Sequence, residues 1–190
     1  MDVSTFIFLG VIAAIGLYAV TLYNNLVSLK HNVDKAWANI DVLLKQRHDE
    51  LPKLVETCKQ YMGYEKDTLE KVMLARSAVS AAREKGDIGA LGPAETQLRM
   101  GLGNLFAVAE AYPDLKANDN FKHLQARISG LENAIADRRE FYNESVNNNN
   151  IRIEQFPDVL IANMFHFKPR QLLEFSEEEK KDVDMKQLFS

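Results

Sequence analysis

The chain is poor in the residues that staple, punctuate or charge a fold. Among its 190 residues Cys58 is the single cysteine, so no disulfide framework can form within it. With no CxxC and no Cys/His cluster, a structural zinc site is not expected either. No lysine or arginine precedes Lys30, and no small-x-small site closes the first apolar stretch, so a cleaved signal peptide is not expected. A formal net charge of −4 lacks the basic excess on which non-specific DNA or RNA binding depends, and no nucleic-acid partner is expected. The nine glycines and five prolines sit in a few places and leave long stretches free of helix breakers. With Ala, Leu, Glu, Lys and Asn dominating the rest, the chain is expected to be all-α.

The first feature present is an apolar run. No formally charged side chain occurs from Val3 to Leu29. As a helix, the run VSTFIFLGVIAAIGLYAVTL (3–22) rises roughly 30 Å at about 1.5 Å per residue, the thickness of a bilayer's hydrocarbon core. Tyr18 and Tyr23 lie where an aromatic interface belt falls. A single transmembrane helix is expected over 3–23. Lys30 and Lys35 downstream place residues 1–2 outside and the remainder in the cytoplasm, at the cell's inner membrane.

Beyond it, Leu26, Leu29, Val33, Ala36, Ile40, Leu43 and Arg47 recur in steps of three and four, the seam of a packed helix that continues the membrane span. Pro52 predicts a kink or restart, with Asp49 as a possible N-cap, and helix then extends to about Lys85. The stretch GDIGALGP (86–93) reads as an interhelical loop, with Pro93 in the first turn of the next helix and Gly101 and Gly103 allowing close helix contact. YPDLKANDN is a second turn with Asn118 as N-cap. Phe121, Leu124, Ile128, Leu131, Ile135, Arg138, Tyr142, Ser145 and Asn149 then mark a helix of roughly thirty residues, fraying at the NNNN of 147–150. Short connections favour antiparallel neighbours. The expected fold is an N-terminal transmembrane helix continuing into an antiparallel up-and-down four-helix bundle over 24–155. An apolar segment at 156–175, begun by Pro157, and a charged tail at 176–190 follow.

Four stretches together resemble the LemA family: YNNLVSLKHNVDKAWANIDVLLKQRHDELPKLVETCKQYMGYE (23–65), LFAVAEAYPDLKANDNFKHLQARI (105–128), RREFYNESV (138–146) and FPDVLIANMFHFK (156–168). The resemblance runs over roughly 1–175 in the family's order and spacing. It implies a bacterial membrane protein with one N-terminal span, its short N-terminus outside and its helical bundle in the cytoplasm. The family's biochemical role is poorly defined and no catalytic residues are recognised in it, so none carries over. Some relatives are associated with bacterial organelle membranes. Where many members have two basic residues after IDV-L, this chain has Lys45-Gln46-Arg47.

Asp41 and Arg47 fall on different faces of a regular helix, His48 and Asp49 diverge by about 100°, and Cys58 sits on an apolar face, so it is expected to be a buried inert thiol. His31, His48, His123 and His166 lack HxxxH, HExxH or ExxH spacing, and neither a metal nor a cofactor is expected. Arg47, Arg76 and Arg138 occupy seam positions, with Asp34, Asp41, Glu65, Glu110 and Glu132 as possible partners. Such arginines either form buried ion pairs that fix helix register or line a polar groove for a partner. The groove candidates are Arg47, Arg76, Arg138, Arg139, Tyr142 and Asn143. Leu160, Met164, Phe165 and Phe167 are candidates for contact with a sister subunit or the membrane surface. The leading expectation is a non-enzymatic, membrane-anchored helical scaffold that self-associates. An adaptor docking a cytoplasmic or signalling partner is the alternative, and a metal-dependent enzyme is the least supported.

Overall fold

The computed structural model describes residues 2–174, so the expected charged tail at 176–190 lies outside the described residues. Among the described residues there are six helices and no strand: α1 (Val3–Lys59), α2 (Lys66–Lys85), α3 (Ile88–Ala109), α4 (Pro113–Ala117), α5 (Asp119–Glu154) and α6 (Asp158–Met164). The chain divides into two compact units. One holds the residues up to Ala38 together with Phe141–Gln171; the other holds Asn39–Glu140 and the residues from Leu172 on.

The second unit carries the expected up-and-down bundle. Four long helical segments form it: the C-terminal part of α1, then α2, α3 and the N-terminal part of α5. Asp41 meets Arg83 while His48 meets Arg76, so α1 and α2 run in opposite directions. Thr57 accepts from Asn120 while Arg47 meets Glu132, so α1 and α5 do too. Ile40, Leu44, Leu51, Leu54, Met62, Leu91, Leu98, Leu105, Phe121 and Ile128 fill the interior. In the first unit, Leu26 of α1, Ile153 of α5 and Ala162 of α6 form the core, with Ile161 and Phe167 packed against it.

Three helix boundaries differ from expectation. Helix α1 runs through Pro52 without a restart, and Asp49 is not a cap. Proline removes the N–H that would bond the carbonyl four residues back, which is that of His48. Arg76 Nε donates to that oxygen at 3.0 Å, so a neighbouring helix fills the gap. Helix α1 instead ends at Lys59. Tyr61 N and Met62 N both bond the Cys58 carbonyl, and fully buried Met62 pins the turn before α2.

The third difference is the connection after α2, which takes only Gly86 and Asp87. Gly86 adopts φ +66°, where a Cβ would be strained, and its N–H with that of Asp87 closes the end of α2 on Arg83 and Ala82. Asp87 accepts from Ala90 N at 3.0 Å and starts α3, leaving Gly89, Gly92 and Pro93 inside the helix. A Cβ on Gly92 would lie 2.5 Å from the Glu174 carbonyl oxygen, so this glycine admits the C-terminal segment rather than a turn. A Cβ on Gly101 would lie 3.5 Å from Val72, an ordinary contact, and one on Gly103 would meet nothing within 4 Å, so neither glycine is needed for close approach.

Asn118 caps α5 as expected, its Oδ1 accepting from Phe121 N at 3.0 Å. That helix does not fray at 147–150 but continues to Glu154. Asn149 is buried there, and Asn150 uses its side-chain amide to hold both the N–H and the carbonyl of Arg170, at 2.8 Å each. Pro157, after a cis peptide bond, precedes α6 as expected.

Candidate functional site

In the bundle unit the polar seam resolves into separate devices. Arg47 is 1 % exposed, and its guanidinium pairs with Glu95 of α3 and Glu132 of α5. Burial works to lower its pKa, but the two carboxylates outweigh it and the value is raised, so the group stays charged. Its Nε has no hydrogen-bond partner among the described residues. Glu132 was among the foreseen partners; Glu95 was not. A lone acidic residue spaced between Leu91 and Leu98 on an apolar face was the signal available for it.

Arg76 is half-buried and turns to the α1 backbone rather than to a carboxylate. Beside its bond to the His48 carbonyl, its Nη2 lies 2.6 Å from His48 Nε2. Burial, then the charge of Arg76, lowers the His48 pKa, so the ring accepts as the neutral form. Cys58 is fully buried and its thiol is pushed up to about 11 by burial, which leaves it protonated and inert at neutral pH.

The seam position expected for Arg138 falls instead to Arg139. Arg138 is exposed and Arg139 buried; likewise Val146, not Ser145, is buried. A straight helix drifts past a strict heptad by about 20° per repeat, and here Arg139 and Val146 replace Arg138 and Ser145 on the buried face while Tyr142 and Asn149 stay on it. Arg138 and Arg139 belong to the bundle unit, whereas Tyr142 and Asn143 belong to the other. Of the foreseen carboxylates other than Glu132, Asp34 pairs with Arg170, Asp41 with Arg83 and Glu110 with Lys116, while Glu65 accepts from the Tyr112 hydroxyl. Among the described residues none of these four meets Arg47 or Arg76. Among the described residues no group of three or more His, Cys, Asp or Glu side chains is placed to hold a metal.

The first unit concentrates the remaining candidates. Tyr142 is buried, its hydroxyl donates to the Gln171 carbonyl at 2.9 Å, and its ring meets Trp37 edge-on at 5.9 Å. Burial raises its pKa. Asn143 is half-buried beside it. Tyr23, one residue past the apolar run, meets the rings of Phe165 at 4.7 Å and Phe167 at 5.9 Å. His166 between them takes φ +57°, and Phe167 N bonds the Ala162 carbonyl, which closes α6 and brings both rings to one tyrosine. Phe167 is half-buried, whereas Leu160, Met164 and Phe165 are exposed. A cleft of 660 Å³ opens beside these rings, lined also by Lys30, His31, Lys168 and Arg170.

One helix among the described residues, α1, is long and apolar enough to cross a membrane by length and composition, and its most apolar window is wholly unburied.

The chain is similar in sequence to several named relatives. "Magnetosome protein MamQ 2" of Paramagnetospirillum magneticum is 26 % identical over 185 aligned residues, covering 84 % of this chain and 68 % of the relative. "Magnetosome protein MamQ" of Magnetospirillum gryphiswaldense is 24 % identical, covering 77 % of this chain and 62 % of its own. "Protein LemA" of Metamycoplasma hominis is 28 % identical, covering 87 % of this chain and 74 % of its own. The LemA family profile matches residues 36–186, which takes in the seam arginine, the capped α5 and the aromatic turn after α6. With the match extending over most of its length, this chain belongs to the LemA family.

Proposed function

We propose that the protein is a non-enzymatic, membrane-anchored helical scaffold that self-associates and organises the membrane or assemblies bound to it. The observation that carries this reading is α1 itself. Its first twenty or so residues expose apolar side chains on all sides, and the same helix continues unbroken into packed structure. A helix apolar all round is suited to lipid rather than to water. The polar residues that might have made a reaction centre are engaged in holding helices together: Arg47 with two carboxylates, Arg76 and His48 at a proline, Tyr142 on a backbone carbonyl. That relatives are named as magnetosome proteins supports a role at a bacterial membrane. Tethering confines copies to two dimensions and raises their effective concentration, so weak lateral contacts suffice for assembly.

In this reading residues 1–2 lie outside, 3–23 span the inner membrane once and the helical part stands in the cytoplasm, as the lysines at 30 and 35 favour. Cross-linking in native membranes, with mild detergent extraction, tests assembly: ladders of homo-oligomers are expected, and a homogeneous monomer by both methods overturns it. An Asp2→Cys variant labelled by an impermeant thiol reagent on intact spheroplasts tests orientation.

The adaptor reading keeps one observation in its favour, the exposed guanidinium of Arg138. It requires a heterologous protein co-purifying in fixed ratio and lost in Arg138→Glu.

A further inference from the structure

Of the aromatic and apolar side chains at 164–167, Phe167 packs on the core of its unit, whereas Met164 and Phe165 stand exposed. Phe156 is 81 % exposed, and Leu160, Met164 and Phe165 are each more than half exposed, within the same unit. Exposed apolar groups gathered in this way mark a contact surface. Their depth relative to a bilayer is fixed by one aromatic contact. Phe165 packs on Tyr23, and Tyr23 follows directly on the run 3–22. If that run spans the hydrocarbon core, Tyr23 and Phe165 lie at its edge, where aromatic rings concentrate. Lys30 stands about 10 Å further along the helix, just past a headgroup layer about 5–8 Å thick per leaflet, and its long stem lets the ammonium reach back to it. Among the described residues, Lys30, His31, Lys168 and Arg170 line the cleft and no carboxylate does, in a chain whose net charge is −4. Arg170 also holds Asp34 at 2.9 Å, whereas among the described residues neither lysine is paired.

We propose that this surface lies on the bilayer, with Leu160, Met164 and Phe165 in the acyl boundary and the headgroup of an anionic phospholipid in the cleft, held by Lys30 and Lys168. The inference rests on the anchoring by 3–23 proposed above. It gives the anchored helix a second point of contact, so that the unit is fixed in tilt and rotation as well as in depth. Basic groups at the headgroup level favour anionic lipid, each strengthening attraction near the surface by a factor of roughly five. A second copy of the chain is the competing occupant of the apolar part.

The full chain with Trp37→Phe, reconstituted into phosphatidylcholine vesicles with and without phosphatidylglycerol, tests this by bromolipid quenching. One reporter is Leu160→Trp, with Met164→Trp as an independent second; Leu17→Trp reports the span. Quenching of the Leu17→Trp reporter by deep bromines establishes insertion, and quenching of the Leu160→Trp and Met164→Trp reporters by shallow bromines is expected alongside it. Brominated phosphatidylglycerol should quench the two surface reporters at least about twofold more than brominated phosphatidylcholine at equal mole fraction. In Lys30→Gln/Lys168→Gln that preference should vanish. If the Leu17→Trp reporter is quenched and both surface reporters are not, anchoring stands and this proposal falls. If Met164→Cys cross-links copy to copy while the surface reporters stay unquenched, the surface belongs to a second copy and the proposal falls likewise. If the Leu17→Trp reporter is unquenched, the anchoring reading fails and takes this one with it.

Discussion

Arg76 Nε donates to the carbonyl oxygen of His48, the one acceptor in α1 that Pro52 leaves without its helical partner. A side chain from α2 thus completes the hydrogen bonding of α1. Arg76→Met should cost roughly 1–3 kcal/mol, since it strands a partly buried carbonyl. Pro52→Ala restores an N–H at the same oxygen, so in the Arg76→Met background it should recover much of that loss. A double-mutant cycle by urea denaturation measures the coupling. Strict additivity would show that the two residues act independently.

His48 makes this joint sensitive to pH. Burial and the Arg76 charge depress its folded pKa below the ordinary 6.5, so the unfolded chain takes up a proton first. The stability it contributes is therefore fully present above about 6.5 and is lost as pH falls through the depressed folded value. The difference in melting temperature between wild type and His48→Gln should be constant above pH 7 and shift against wild type below pH 6. A difference that stays flat down to pH 5 would mean that the ring protonates as readily in the folded state.

The paired Arg47 offers a contrast between breaking and replacing. Arg47→Met alone leaves Glu95 and Glu132 facing each other in the interior and should cost about 3–5 kcal/mol. Adding Glu95→Leu and Glu132→Leu should return most of this, because an apolar set of similar volume avoids the desolvation of three charges. Equilibrium denaturation of the single and triple variants decides the matter. A triple variant as unstable as the single would mean that the ions themselves hold the register.

Gly92 is a steric test of the C-terminal segment. In Gly92→Ala the new methyl meets the Glu174 carbonyl, and the segment that buries Leu173 must move. A loss of about 1–3 kcal/mol is expected, together with faster proteolytic cleavage near Leu173. Unchanged cleavage would mean that the segment yields at no cost.

Features set within one element were legible in the sequence: the apolar run, the Asn118 cap, the long α5 and the break at Gly86. Features completed by a distant partner were not. Pro52 reads as a break because its remedy, Arg76, lies 24 residues on in another helix. Asn147–Asn150 reads as a weak helix end because the backbone that employs Asn150 belongs to residue 170. The turn at 60–65 was hidden because Cys58, Met62 and Leu69 keep up an apolar rhythm across it. Arg138 was placed on the core face by counting heptads where the helix follows its own slightly longer period.

The grip of Asn150 and Tyr142 on the segment at 170–171 has a further consequence. Both side chains bond main-chain atoms, the N–H and carbonyl of Arg170 and the carbonyl of Gln171, which every residue but proline can offer alike. The dock is therefore blind to the letters of the strap it holds. Position 171 is free to drift in identity while staying in place, and substitutions there should pass a saturation screen that positions 142 and 150 fail.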